Sequence, residues 1–267
     1  MSDDESFITV ASAVLALVVW MVWYLRLGRR GALGLTVPGR GVLSLAPLGC
    51  AALIIGVLTT IASHDVINDP KYIFQYAAMG MAWVGVGTHM LFEWLGISAR
   101  DDLMERRNPA VVPVLSGGML GLACCFAGGN VGDGPGWWVV VFAAVLATAG
   151  LMMTWGIWER VAHLSDQVTI ERDLAAGHRL GGFLFGTGII MGRAVAGDWI
   201  SAGDTIADFF AVAWPVVVLL LVAIAIDRSA RATPERPEPA VTAFGVMPAL
   251  IFPLLAFGYV SWLGLPE

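Results

Sequence analysis

The sequence predicts an all-α membrane protein: a polytopic bundle of about eight transmembrane helices, set out as four tandem hairpins that form parallel repeats. Three observations predict it. The chain is too apolar for water, its apolar residues fall into eight long stretches, and its arginines gather in alternate connections. Of 267 residues, 58% are hydrophobic and only 13% are charged, with a mean hydropathy of +0.77. A soluble domain carries about a quarter charged residues, and so apolar a chain does not remain disordered in water. The net charge of −6 and the lack of a basic tail exclude a nucleic-acid partner.

The eight stretches run over residues 7–25, 43–62, 73–97, 110–129, 137–158, 179–197, 207–226 and 241–263. About 20 apolar residues cross a ~30 Å hydrocarbon layer as a helix, and helices are required because lipid offers backbone groups no partner. The first stretch follows Asp3-Asp4-Glu5 and not the basic leader of a secretory signal, so it reads as a retained span. The connections after the first, third, fifth and seventh stretches carry Arg26, Arg29, Arg30 and Arg40; Arg100, Arg106 and Arg107; Arg160, Arg172 and Arg179; and Arg228, Arg231 and Arg236. The intervening connections hold only Lys71. The positive-inside rule makes the arginine side cytoplasmic. Both termini then lie on the non-cytoplasmic side of a bacterial inner membrane. Trp94, Trp155 and Trp158 are expected at the inner interface and Trp137, Trp138, Trp199 and Trp262 at the outer one, with Trp83 and Trp214 as core aromatics.

The 267 residues read as one transmembrane domain with an internal repeat at an offset of 65. Arg107-Asn108-Pro109-Ala110 aligns with Arg172-Asp173-Leu174-Ala175, Gly117 with Gly182, Gly121 with Gly186, and Gly132-Asp133 with Gly197-Asp198. The units span about 73–133 and 137–198, and weaker hairpins occupy 7–62 and 207–263. Two helices per unit give successive units one orientation, hence parallel and not inverted repeats.

The stretches "MERRNPAVVPVLSGGMLGLACCFAGG" and "TIERDLAAGHRLGGFLFGTGIIMGRAVAGDW" resemble the two halves of a bacterial membrane family known as domain of unknown function 350. The resemblance covers residues 73–205. The first half departs from that pattern at Pro109 and Pro113. The resemblance implies a bacterial inner-membrane protein and supplies no catalytic residue.

Candidate sites follow from expensive residue types. Gly117-x-x-x-Gly121, Gly182-x-x-x-Gly186 and Gly188-x-x-x-Gly192 are small-xxx-small patterns that let helix backbones approach. They place the fourth and sixth stretches at the packed centre, and offer a face for a homo-oligomer. Arg193 lies within the sixth stretch, where arginine costs about 2.5–3.5 kcal/mol at mid-membrane. A substrate or gating pair of Arg193 with Asp198, or with Asp133 at the equivalent repeat position, is expected. Asn108 and Asp173 stand where helix N-caps belong. His89 and Glu93 share a helix face, as do Glu159 and His163. Brought together, these four suit a divalent metal in a membrane-embedded redox or metal-dependent enzyme. A haem held between His89 and His178 is a variant of that idea. No other cofactor signature occurs, and Cys50, Cys124 and Cys125 read as buried thiols. The leading reading is non-enzymatic: translocation of a small solute or ion, or a membrane scaffold. The Arg-rich loops offer a docking surface to a cytoplasmic partner.

Overall fold

The computed structural model describes residues 2–28, 37–230 and 240–266. The described residues are 83% helical, with no strand among them. In order it forms α1 (Asp3–Gly28), α2 (Arg40–Thr60), a short α3 (His64–Ile67), α4 (Pro70–Trp94), a π-helical segment (Ala99–Glu105), α5 (Val111–Gly128), α6 (Trp137–Ala162) and α7 (Leu164–Thr169). Then come α8 (Leu174–Ala194), α9 (Ala202–Ala213), α10 (Pro215–Ala230), a second π-helical segment (Thr242–Val246) and α11 (Met247–Leu263).

Six of the eight apolar stretches each fall on one long helix, the seventh falls on α9 and α10, and the eighth on α11 with the π-helical segment before it. Five helices are long and apolar enough to cross a membrane: α1, α2, α5, α6, and α11 with the π-helical segment before it. The pair α9 and α10 makes a sixth if its 41° bend counts as one broken span. The seventh stretch is therefore interrupted at Trp214, because Pro215 lacks the N–H that would continue the helix. Helices α4 and α8 are 25 and 21 residues long but fall short of the same apolarity. For α8 the reason is its place: most of its side chains are buried against other helices, so protein and not lipid is its solvent.

Helices α2, α5, α8 and α11 pack side by side, α5 lying along α8, α8 along α11, and α2 along α5. Helices α1, α4, α6 and α10 flank them, α1 on α4, α4 on α2 and α5, and α6 and α10 on α8. Glycine makes the centre close. A Cβ on Gly181 would stand 2.1 Å from the Pro113 carbonyl oxygen, and one on Gly117 2.1 Å from that of Gly181. Gly121 and Gly188 face each other, and Gly192 lies against the Cys124 carbonyl. Gly182 and Gly186 turn the other way, onto the Ala249 and Phe252 backbones of α11. All six pattern glycines thus meet backbone of their own chain, and none presents a bare face outward for a second copy.

Local geometry recurs at the 65-residue offset. Arg107 and Arg172 both adopt left-handed backbone, φ 56° and 57°. The Asn108 amide donates to the Asp102 carbonyl and the Asp173 amide to the Gln167 carbonyl, each at 2.9 Å. Gly132 and Gly197 both have positive φ. One end of the bundle is laced through these loops: the Ser63 amide donates to the Asn130 carbonyl and the Gly197 amide to the Val131 carbonyl. The opposite end carries the connections after α1, α4, α6 and α10. Arg26, Arg40, Arg100, Arg106, Arg107, Arg160, Arg172 and Arg228 fall there, whereas Lys71 does not. Arg29, Arg30, Arg231 and Arg236 lie outside the described residues.

The tryptophans sort differently from the expectation. Trp155 and Trp158 are buried, against Phe92 and Phe183, and are core aromatics, not interfacial ones. Trp214 is exposed at the α9–α10 break. Depth along a helix can be counted from sequence, but these residues are separated by which side of the helix they occupy, and that depends on neighbours.

Candidate functional site

The most costly arrangement in the bundle is an ion pair at its arginine-rich end. Asp173 caps α8, its Oδ1 accepting the Ala175 amide at 2.7 Å, so the helix is already under way when it reaches Arg179. That residue is 1% exposed. Its Nη2 donates to Asp227 Oδ1 at 2.9 Å, and Asp227 is 0% exposed near the end of α10. Nη1 donates to the Phe244 carbonyl at 2.9 Å, within the π-helical segment before α11. Asp173 Oδ2 lies 3.9 Å from Nη2. Gln167 of α7 donates to Asp227 Oδ2 at 3.5 Å and to the Ala162 carbonyl at 2.8 Å. One guanidinium thus joins α8, α10 and the approach to α11, while its Nε is buried with no hydrogen-bond partner among the described residues. Taking two charges out of water costs several kcal/mol per ion after relaxation, which only good geometry offsets.

Sequence reasoning missed this site: it assigned Arg179 to the connection before the sixth stretch and did not single out Asp227. The signal was present. A helix capped by Asp173 carries Arg179 more than one turn inside, and an i,i+4 count from Ala175 puts it on the same face, toward the interior.

Arg193 and Asp198 are not an intrahelical pair. Helix α8 ends at Ala194, and Gly197, at φ 139°, turns the chain back. Arg193 Nε instead donates to the Gly264 carbonyl at 2.9 Å. Asp198 Oδ1 accepts the Asp133 amide at 2.7 Å, and the Trp199 amide donates to the Asp133 carbonyl at 2.8 Å. The two equivalent aspartates therefore meet, as a backbone clasp between equivalent loops. No ion pair joins Arg193 to either aspartate among the described residues.

The four expected metal ligands do not come together, and no cluster of three or more such side chains occurs among the described residues. Arg26 intervenes at the end of α1: it pairs with Glu93, and its Nη1 lies 3.2 Å from His89 Nδ1. Glu159 Oε2 accepts the Ser165 amide at 2.9 Å, and His163 occupies the left-handed junction of α6 and α7. His178 Nδ1 is 2.7 Å from its own helix's Leu174 carbonyl. Asn108 is buried, with Oδ1 accepting the Ala110 amide at 3.0 Å and Nδ2 donating to the Val168 carbonyl at 2.7 Å. Asn108 is thus not the cap of α5, which starts at Val111 with Ala110 as its N-cap and no side-chain cap bond; it braces the turn before the helix and ties that connection to α7. Cys50 and Cys125 are buried and all three thiols are free.

Comparison of the chain with protein-family models, with curated proteins and with solved structures gave no match.

Proposed function

We propose that this is a bacterial inner-membrane protein of eight spans in four parallel hairpins, with both termini outside the cytoplasm, and that it translocates a small anionic solute through an exchange at Arg179. The observation that carries the reading is the buried Arg179–Asp227 pair with its unused Nε donor. Ionisable residues within membrane bundles mark substrate paths by default, and a guanidinium with a free N–H suits a carboxylate or other oxyanion. Asp227 holds the guanidinium at rest, and an entering anion takes its place. The α4 and α8 spans are supported by their length and by the protein environment of α8. The repeat is supported by the recurring geometry at Arg107 and Arg172 and by the Asp133–Asp198 clasp. The likeness to domain of unknown function 350 rests on residues 73–205 and agrees with this architecture.

The test is flux in proteoliposomes with chloride, nitrate, phosphate and acetate. Wild-type protein moves at least one of them and Arg179→Gln, recovered folded, moves none. Flux of none of the four by wild-type protein refutes the reading. A second reading, a scaffold, is favoured by the backbone contact of α5 with α8, which leaves no room for a path between those two helices. A scaffold co-purifies with a stoichiometric cytoplasmic partner and shows no flux.

A further inference from the structure

Away from the Arg179 site, a cavity of about 420 Å³ opens on the flank of the bundle. Helix α4 supplies a continuous stripe to it: Met79, Trp83, Val86 and Met90, spaced three and four apart, with Ala82 beside Trp83. Met79 to Met90 is eleven residues, about 16 Å along a helix, so the cavity is elongated and runs with the helix axes. Dividing its volume by that length gives a mean section of roughly 25 Å². Leu15 of α1, Phe126 of α5 and Val141 of α6 also line it. Leu15 and Met90 are also exposed on the outer surface of the bundle, so the mouth of the slot faces sideways.

The lining chemistry selects the occupant. The slot is overwhelmingly apolar, and its one indole N–H is already used, Trp83 Nε1 donating to Thr148 Oγ1 at 3.1 Å. Besides Trp83 only the Ser12 and Thr148 hydroxyls are polar among the lining side chains, too few to satisfy a polar ring or a charged head, and buried polar groups without partners are costly. What the walls reward is a slim, flexible hydrocarbon. On the membrane reading proposed above, the mouth opens into the acyl region of the bilayer, where such chains stand parallel to the helices.

We propose that this slot is a lipid site that holds one acyl chain of a bilayer phospholipid between α1, α4 and α6. The site makes one lipid an integral part of the packing of α1, α4 and α6.

The experiment is native mass spectrometry of the full chain purified in mild detergent, after its membrane residence has been checked by carbonate extraction of membranes. Wild-type protein retains one phospholipid per chain. Val86→Trp fills the slot and lowers that occupancy at least fivefold, as does Leu15→Trp at the exposed mouth, where folding is not at risk. A lipid photolabel with its diazirine in the acyl chain marks the peptide holding Trp83 and Val86. Wild-type protein that resists carbonate extraction yet carries no lipid, or Leu15→Trp protein with undiminished occupancy, overturns the proposal. Protein released by carbonate overturns the membrane reading instead.

Discussion

Replacing Gly181 with alanine tests the close-packed centre on which the rest of the bundle is assembled. The added Cβ would lie 2.1 Å from the Pro113 carbonyl oxygen and 2.5 Å from its carbon. Ordinary contact begins at 3.4 Å, so α8 must retreat from α5 by 3.4 − 2.1 = 1.3 Å, or an equal shift must be shared between them. The neighbour is backbone and has no rotamer into which to escape. A retreat of that size also loosens the contacts at Gly117, Gly188 and Gly192, because a gap of 0.5–1 Å forfeits a quarter to a half of each dispersion well. Overpacking costs about 1–3 kcal/mol, which for a chain of this size lowers the melting temperature by roughly 2–12 °C. The control is Gly56→Ala in α2, whose Cβ would meet nothing within 4 Å. It is expected to be neutral or stabilising by up to about 1 kcal/mol, since alanine is the better helix former. The assay is thermal unfolding of detergent-solubilised protein. A Gly181→Ala protein that melts with the wild type, or above Gly56→Ala, refutes the packing described here.

Three further outcomes follow from the polar contacts. Arg179→Leu or Asp227→Leu alone breaks the buried ion pair and should destabilise by about 3–5 kcal/mol, whereas the double variant should recover most of that loss; a thermal double-mutant cycle measures it. Asp173→Ala removes the α8 cap and should cost about 0.5–2 kcal/mol, and Asn108→Ala should cost about 1–3 kcal/mol by leaving the buried Ala110 amide and Val168 carbonyl without their side-chain partner; melting temperatures of the two variants check both. Trp83→Phe should cost about 1 kcal/mol by removing the hydrogen bond to Thr148, and the loss should disappear when Thr148 is already valine.

Helicity and the long elements were legible because hydropathy and length depend on residue types alone. The close approach at Gly117 and Gly188 was legible for a similar reason, since only glycine admits it. What could not be read was partnership across the bundle. The pattern at His89 and Glu93 looks like half of a metal site until α1 brings Arg26 beside both. Arg193 and Asp198 look like a substrate or gating pair until the chain turns at Gly197 and Arg193 bonds the Gly264 carbonyl while Asp198 takes the Asp133 amide. Gly182 and Gly186 look like part of the α5 contact, but their side of α8 faces α11. Arg179 and Asp227 lie 48 residues apart, and nothing local marks either as buried except the helix start that Asp173 implies.

The central claim is an eightfold crossing with every arginine-bearing connection on the cytoplasmic face. Single cysteines at Ser2, Gly134, Gly203, Glu105 and Glu171, all exposed positions, in a chain whose own three cysteines are replaced by alanine, test it through a membrane-impermeant maleimide applied to intact cells. The account predicts labelling at positions 2, 134 and 203, and labelling at 105 and 171 only after the cells are broken. Labelling of 105 or 171 in intact cells, or protection of position 2, would contradict it.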